Sequence, residues 1–151
     1  MNSDIFHSRL FDEKTFYRQF LHDLSSCNNE VIIESPFITT NRMKIFRSVF
    51  QDLLSRGIRI YVVTRRPEDH ENESLKFQAQ AEINHFERIG VQALLCVGSH
   101  HRKLAILDRS ILWEGSLNIL SQSYSREIMR RIENEVLAKQ MFDFIQYERV
   151  I

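Results

Sequence analysis

Residues 101–118 read HRKLAILDRSILWEGSLN and contain two short apolar runs with polar residues around them. The runs 103–108 and 111–115 are separated by Arg109 and Ser110, which predicts two antiparallel strands joined as a hairpin. Residues i and i+2 of an extended chain point the same way, so His101 and Lys103 present an imidazole and an ammonium side by side. We therefore expect a sheet with a reactive polar pair where the hairpin begins.

Upstream of this stretch, helical and extended patterns alternate. Helical spacing of apolar residues predicts a first helix, with Asp12 or Thr15 as its cap and Phe16, Phe20, Leu21 and Leu24 inward. A strand at 30–37, a helix from Asn41 to the C-cap position at Gly57, a strand at 58–64, a helix at 74–89 and a strand at 91–96 follow. This alternation is typical of parallel strands joined by crossover helices.

Downstream, the pattern predicts one more strand and one more helix. Residues 126–132 form the strand, and Asn134 caps a helix whose inward residues are Leu137, Met141, Phe144 and Ile145. Neither a repeat nor a linker interrupts the chain. The sequence predicts a single α/β domain over residues 1–151, with a mixed β-sheet flanked by helices on both faces.

Composition narrows the functional classes. The 151 residues are 43% hydrophobic and 26% charged, which excludes a disordered chain. Twenty basic residues balance twenty acidic ones, so the protein is not a general polycation and would bind nucleic acid only through a local basic patch. Two cysteines, no signal peptide and no apolar run of about 18 residues predict a cytoplasmic protein without a membrane span.

The polar residues of 101–118 have the chemistry of phosphate handling. A histidine that can act as nucleophile or acid–base catalyst lies beside a fixed cation, Lys103. Gly115 allows a close backbone approach, and Ser116 and Asn118 add neutral hydrogen-bond donors for phosphate oxygens. Asp108, at the hairpin, is by default a turn residue.

The spacing resembles the signature of the phospholipase D superfamily, HxKx4Dx6GSxN. All six defining positions match, and a chance match in one chain is on the order of a few per million at average composition. The resemblance implies a phospholipase D-like fold, with His101 as the nucleophile that forms a phosphohistidine intermediate. It also implies that Lys103, Asn118 and Ser116 hold the phosphate, that Asp108 is structural, and that neither a metal nor a cofactor is needed.

Members of this superfamily also use a later glutamate, at the start of a strand, to orient the histidine. Glu127 fits best because it begins the run EIMRRI, and Glu133 and Glu135 are the competitors. A carboxylate on one ring nitrogen fixes the tautomer of a histidine and favours its imidazolium form.

The chain carries one copy of the motif, whereas enzymes of the superfamily use two copies per active site. None of the other histidines has a lysine two residues later. A symmetric homodimer resolves the difference, because a residue on a two-fold axis meets its own copy.

The resemblance extends to small bacterial nucleases that need no metal and to phosphodiesterase domains attached to helicase-like proteins. A basic rim is expected for such a substrate, from Arg65, Arg66, Arg102, Arg126, Arg130 and Arg131. The main hypothesis is a homodimeric DNA or RNA phosphodiesterase. The alternatives are a lipid phosphodiesterase or phosphatidyltransferase, and a non-catalytic accessory module of a helicase-like partner.

Overall fold

The computed structural model describes residues 7–146 and the side chains of 7–145, so both ends of the predicted 1–151 domain lie outside the described residues. Seven strands form one sheet: β1 (His7–Asp12), β2 (Glu30–Glu34), β3 (Arg59–Arg65), β4 (Gln92–Cys96), β5 (Leu104–Leu107), β6 (Ile111–Gly115) and β7 (Ile128–Glu133). Five α-helices accompany them: α1 (Phe16–Ser25), α2 (Thr40–Met43), α3 (Arg47–Ser55), α4 (Glu73–Ile89) and α5 (Glu135–Gln146).

The sheet is mixed, with two parallel and four antiparallel strand pairings, and its strand order is β1-β7-β6-β5-β2-β3-β4. β2, β3 and β4 are parallel, as the alternating sequence pattern predicts, and helices α2 to α4 form their crossovers. β5 pairs antiparallel with β2, and β6, β7 and β1 continue the sheet in antiparallel fashion. The mixed α/β fold class expected from the sequence is confirmed.

The two faces of the sheet have separate cores. On the first face, helices α1 to α4 pack an aromatic-rich core onto the strands. Trp113 is fully buried there, and its Nε1 donates to Asp23 Oδ2 at 3.0 Å. On the second face α5 is the helix that packs against the sheet, with Ala138 and Ile145 buried against Ile32, Leu104, Ile106, Leu112 and Ile132. Helices therefore flank both faces.

The hairpin between β5 and β6 turns at Asp108 and Arg109, one residue earlier than the sequence pattern indicates. Both residues have φ of +53°, the pair of left-handed conformations found in a type I′ turn. The carboxylate of Asp108 accepts hydrogen bonds from the backbone N–H groups of Asn28, Asn29 and Glu30 at 2.8–2.9 Å. Asp108 therefore fixes the start of β2 to the motif hairpin.

Three local predictions differ from the structure. β1 is an additional edge strand, paired antiparallel with β7 and half-exposed along its length. The predicted helix 41–57 is split into α2 and α3. The inward placement of Phe144 is wrong, because this side chain is 60% exposed.

An apolar groove of about 790 Å³ runs along the second face, between α5 and the strands that this helix leaves uncovered. Its walls include Leu10, Ile128, Met141 and Phe144, and Lys103 of the motif lies at its edge. Within residues 7–146, no helix has the length and apolarity needed to cross a membrane.

Candidate active site

His101 and Lys103 lie next to each other in the segment that leads into β5. Lys103 Nζ is 3.1 Å from His101 Nδ1 and donates to the backbone oxygen of His101 at 2.9 Å. The imidazole is exposed, whereas Lys103 is half-buried. The pairing expected from their i, i+2 spacing is present. It places a solvent-exposed imidazole beside an ammonium that is fixed by a hydrogen bond.

The charges around this pair favour a neutral imidazole. The Lys103 ammonium lowers the pKa of His101, and Arg65 and His100 contribute to the same direction. Burial lowers the pKa of Lys103, while the charge of Glu127 opposes that shift. A neutral imidazole has a free lone pair, which a nucleophile needs.

Gly115 and Ser116 connect β6 to β7 behind this pair. A Cβ at Gly115 would lie 2.1 Å from the backbone oxygen of Ile128, so only glycine allows this approach. The Ser116 hydroxyl accepts from Ile128 N at 3.0 Å and contacts Ile128 O at 3.4 Å. In this structure the serine therefore joins two strands, while its predicted contact with phosphate stays a prediction.

Asn118 and Glu127 line one small cavity together with Glu13, Tyr17 and Arg42. The Oδ1 atom of Asn118 is buried and has no hydrogen-bond partner among residues 7–146. Glu127 Oε1 accepts from Ser125 Oγ at 3.1 Å, and the Glu127 backbone N–H donates to Glu13 Oε1 at 2.8 Å. The structure thus places the amide and the carboxylate of the predicted site at one cavity.

The position of Glu127 distinguishes it from its two competitors. Its charge acts on Lys103, although no hydrogen bond to His101 is present among the described residues. Glu133 is exposed at the far end of β7 and pairs with Arg131, and Glu135 is exposed in the first turn of α5. Geometry therefore favours Glu127, whose orienting role stays a prediction.

The residues on either side of His101 are held by one buried carboxylate. Glu34, at the end of β2, is fully buried, and its Oε1 is 3.1 Å from His100 Nε2 and 3.1 Å from Arg102 Nε. Arg65 also donates to the backbone oxygen of His100 at 3.1 Å. These contacts hold the segment that contains His101 against the sheet.

The profile of one protein family, described as cardiolipin synthase, PLD-like domain, matches residues 20–147. The chain belongs to this PLD-like family. The family lies within the phospholipase D superfamily of phosphodiesterase-type enzymes, to which the motif assigns the chain. No curated protein matches the PLD-like chain in sequence.

Solved structures share the PLD-like fold at low sequence identity. Nuc from Salmonella typhimurium, a phospholipase D family member, is 16% identical with a TM-score of 0.76, over 95% of this chain and 94% of Nuc. NucT from Helicobacter pylori is 18% identical with a TM-score of 0.71, over 95% of this chain and 96% of NucT. A phosphatidylserine synthase from Haemophilus influenzae is 13% identical with a TM-score of 0.67, over 97% of this chain and 39% of the synthase.

Three of the six arginines of the predicted basic rim form ion pairs within the described part of the PLD-like chain. Arg131 pairs with Asp23, Arg66 with Asp69, and Arg102 with Glu34, at 2.7–3.1 Å. Arg65 has no ion pair among residues 7–146 but stacks over Phe37, with its guanidinium carbon 4.9 Å from the ring centroid. The basic surface near the motif is therefore smaller than the arginine count indicates.

Arg42 is a site residue that the sequence pattern did not reveal. It lies at the start of the helix that the sequence predicts from Asn41, and its neighbours Asn41 and Met43 form no motif with it. It reaches the cavity because α2 contacts the segment after Asn118: Thr39 N donates to Leu120 O at 3.0 Å, and Gln122 N donates to Thr39 Oγ1 at 2.8 Å. Only a tertiary contact places this arginine beside the motif.

In the part of the chain that the structure describes, no cluster of three or more histidine, cysteine or acidic side chains is arranged to hold a metal ion. His100 and Cys96 interact with each other, as the pKa of His100 reflects, and both cysteines are free thiols. The groups that the site offers are therefore an imidazole, an ammonium, an amide and a carboxylate.

Proposed function

We propose that the protein is a metal-independent phosphodiesterase that cleaves DNA or RNA through a phosphohistidine intermediate. The observation that carries this proposal is the exposed His101 imidazole with Lys103 Nζ at 3.1 Å. The charge of Glu127, which lines a cavity together with Asn118, acts on this Lys103. An exposed neutral imidazole next to a half-buried cation supports nucleophilic attack on a phosphate. A cytoplasmic location is part of the proposal and agrees with two free thiols.

The chemistry balances with residues of this kind. A nitrogen of His101 in its neutral form attacks phosphorus and forms a P–N bond, while the P–O bond to the leaving group breaks. The leaving oxygen takes a proton from a second imidazole, which enters the step as an imidazolium and leaves it neutral. Water then gives that proton back, attacks phosphorus and breaks the P–N bond. Lys103 and Asn118 stabilise the charge that develops on the phosphate oxygens.

The second imidazole is supplied in the proposal by another copy of the chain. One chain has a single motif, so a two-histidine site needs the His101 of a partner across a two-fold axis. The apolar groove beside α5 supports this assembly, because its edge includes Lys103 and its walls expose Leu10, Ile128 and Phe144, each at least 60% accessible. A surface of this kind continues from the site and suits a second copy.

The first test is cleavage of single- and double-stranded DNA and RNA in the presence of EDTA. Wild-type protein should cleave at least one of them, and His101→Ala should lose all detectable turnover because the nucleophile is gone. His22→Ala is the matched control, since His22 is an exposed histidine of α1 and no described contact joins it to His101 or Lys103. Full inhibition by EDTA that zinc or magnesium restores would contradict the metal-independent mechanism.

A lipid phosphodiester is the second candidate substrate. It is favoured by the apolar groove that ends at Lys103, and a phosphatidylserine synthase shares the fold. Release of a headgroup from phospholipid vesicles, without cleavage of any nucleic acid, would establish it. The fold also occurs in TrmBL2, an archaeal chromatin protein that binds DNA, so binding without cleavage would support a non-catalytic module.

A further inference from the structure

Arg42 is a cation of the candidate site that lies outside the HxKx4Dx6GSxN motif. It is on α2, and it lines the same cavity as Asn118 and Glu127. No sequence motif includes Arg42, because its neighbours in the chain carry no pattern. Its place at the cavity raises the question of what its guanidinium binds.

The guanidinium is held in a defined orientation. Its central carbon lies 3.9 Å from the centroid of the Tyr17 ring, and the Tyr17 hydroxyl donates to Ile119 O at 2.8 Å. Ile119 directly follows Asn118, so the segment that carries the motif amide also fixes the ring under the arginine. A guanidinium stacked on a ring keeps the N–H donors of its edge available for another ligand.

Within the part of the chain that the structure describes, no residue accepts a hydrogen bond from those donors. The Nε atom of Arg42 is buried without a hydrogen-bond partner among residues 7–146, and the guanidinium forms no ion pair there. Two carboxylates line the cavity, but Glu13 accepts from Glu127 N and Glu127 accepts from Ser125 Oγ. Arg42 thus differs from Arg102 and Arg131, whose guanidinium groups are paired with buried carboxylates.

We propose that Arg42 binds a second phosphate group of the substrate, next to the phosphate that His101 attacks. The planar fork of a guanidinium suits a phosphate better than a point charge does. An unpaired N–H donor at a cavity wall is free to donate to a phosphate oxygen. The substrate is then a strand with consecutive phosphates, rather than a diester with a single phosphate. This inference rests on the proposed phosphodiesterase function.

The test compares substrates with one and with several phosphates. Arg42→Ala should raise the KM for an oligonucleotide by about tenfold or more and leave kcat within a few-fold, because a bound phosphate outside the reacting centre is lost. The same variant should cleave bis(p-nitrophenyl) phosphate, which has a single phosphate, at the wild-type rate. The salt dependence of oligonucleotide binding should fall by about one unit in its logarithmic slope.

Two further variants make the outcome specific. Arg88→Ala removes an exposed arginine from the end of α4 and should leave KM and kcat unchanged for both substrates. Arg42→Lys keeps the charge but not the planar fork. Its KM for the oligonucleotide should therefore lie between those of wild type and Arg42→Ala, and its salt slope should equal that of wild type. Circular dichroism and the Tm of each variant check that it folds.

The remaining outcomes separate this inference from the proposed function. Equal losses on both substrates, or no loss on either, would overturn the role of Arg42 while leaving phosphodiesterase activity established. If wild-type protein cleaves nothing, the proposed function fails, and oligonucleotide binding measured by fluorescence anisotropy still tests the phosphate contact. Wild-type binding that Arg42→Ala does not weaken would then overturn it.

Discussion

At the scale of single residues, Lys103 and Asn118 are expected to act in the transition state rather than in substrate binding. Each offers a donor to phosphate oxygens whose charge grows during attack, so replacing either by alanine should lower kcat by about 10²–10³-fold. Steady-state cleavage of the substrate found for the wild type measures this. Lys139→Ala, on the exposed side of α5, is the control for loss of a lysine. A decrease in kcat of less than tenfold for either variant would show that the residue replaced does not stabilise the transition state.

His100 makes the stability of the protein depend on pH. The adjacent Cys96 side chain and then the buried Glu34 carboxylate, whose Oε1 is 3.1 Å from His100 Nε2, raise the pKa of His100 from its ordinary value of 6.5 to about 9. Because the pKa of His100 is higher in the folded state, protonation of His100 adds to the free energy of unfolding. This contribution is complete below about pH 6.5 and is lost as the pH rises to about 9.

Urea unfolding between pH 6 and pH 10 tests this dependence, with His100→Gln as the variant that cannot titrate. The wild type should lose stability across the window from about 6.5 to about 9, and the variant should show a flatter profile there. Arg65 and Arg102 also face this histidine but stay charged throughout that range, so they add no slope of their own. Parallel pH profiles for the two proteins would contradict the assignment.

At the scale of elements, the motif glycine sets the distance between β6 and β7. Gly115→Ala would place a methyl group 2.1 Å from Ile128 O and 2.9 Å from Met129 Cα, and backbone atoms of a paired strand cannot move aside cheaply. We expect a loss of at least about 2 kcal/mol in the free energy of unfolding, measured by urea titration. Gly98→Ala, at a glycine with open space around it but a positive φ, separates backbone strain from this clash.

The sequence predicted most elements because their residues have strong local patterns. Fully buried strands such as β2 appear as continuous apolar runs, and Asn134 caps α5 by accepting from Leu137 N at 2.9 Å, as expected. β1 was missed because an edge strand with exposed residues has no such run. Phe144 was placed inward because helical spacing shows which residues share a face, not whether anything covers that face.

The candidate site was predictable where chemistry and spacing coincide, and not elsewhere. His101 and Lys103 are two residues apart, so strand geometry alone brings them together. Arg42 and Glu34 lie far from the motif in sequence, and both reach it through tertiary contacts. A pattern within one segment contains no information about such contacts.

At the scale of the whole molecule, we expect activity to depend on a dimer formed through the exposed apolar wall of α5. Phe144→Glu should place a charge in the groove and convert the expected dimer to a monomer, which light scattering measures directly. Activity should fall with dimer content, because the second imidazole is lost. Lys139→Glu, on the exposed side of the same helix, is the control. A fully active monomer would rule out the shared site.

Mixing of subunits gives an independent check of the same prediction. If each site needs two copies of His101, mixed dimers of wild type and His101→Ala are inactive. After subunit exchange, an equal mixture should then have about a quarter of the activity of pure wild type at the same total protein concentration. With independent sites the mixture would have about half of that activity.

The pairing of β1 with β7 has a consequence for how the chain folds during synthesis. Ser8 and Arg130, which hydrogen-bond across this pair, are 122 residues apart, so β1 leaves the ribosome long before β7 does. Closing so long a loop is slow, and an unpaired edge is prone to association in the meantime. β1 of the nascent chain therefore lacks its partner strand until β7 has been synthesised, and this delay leaves time for a chaperone to bind it.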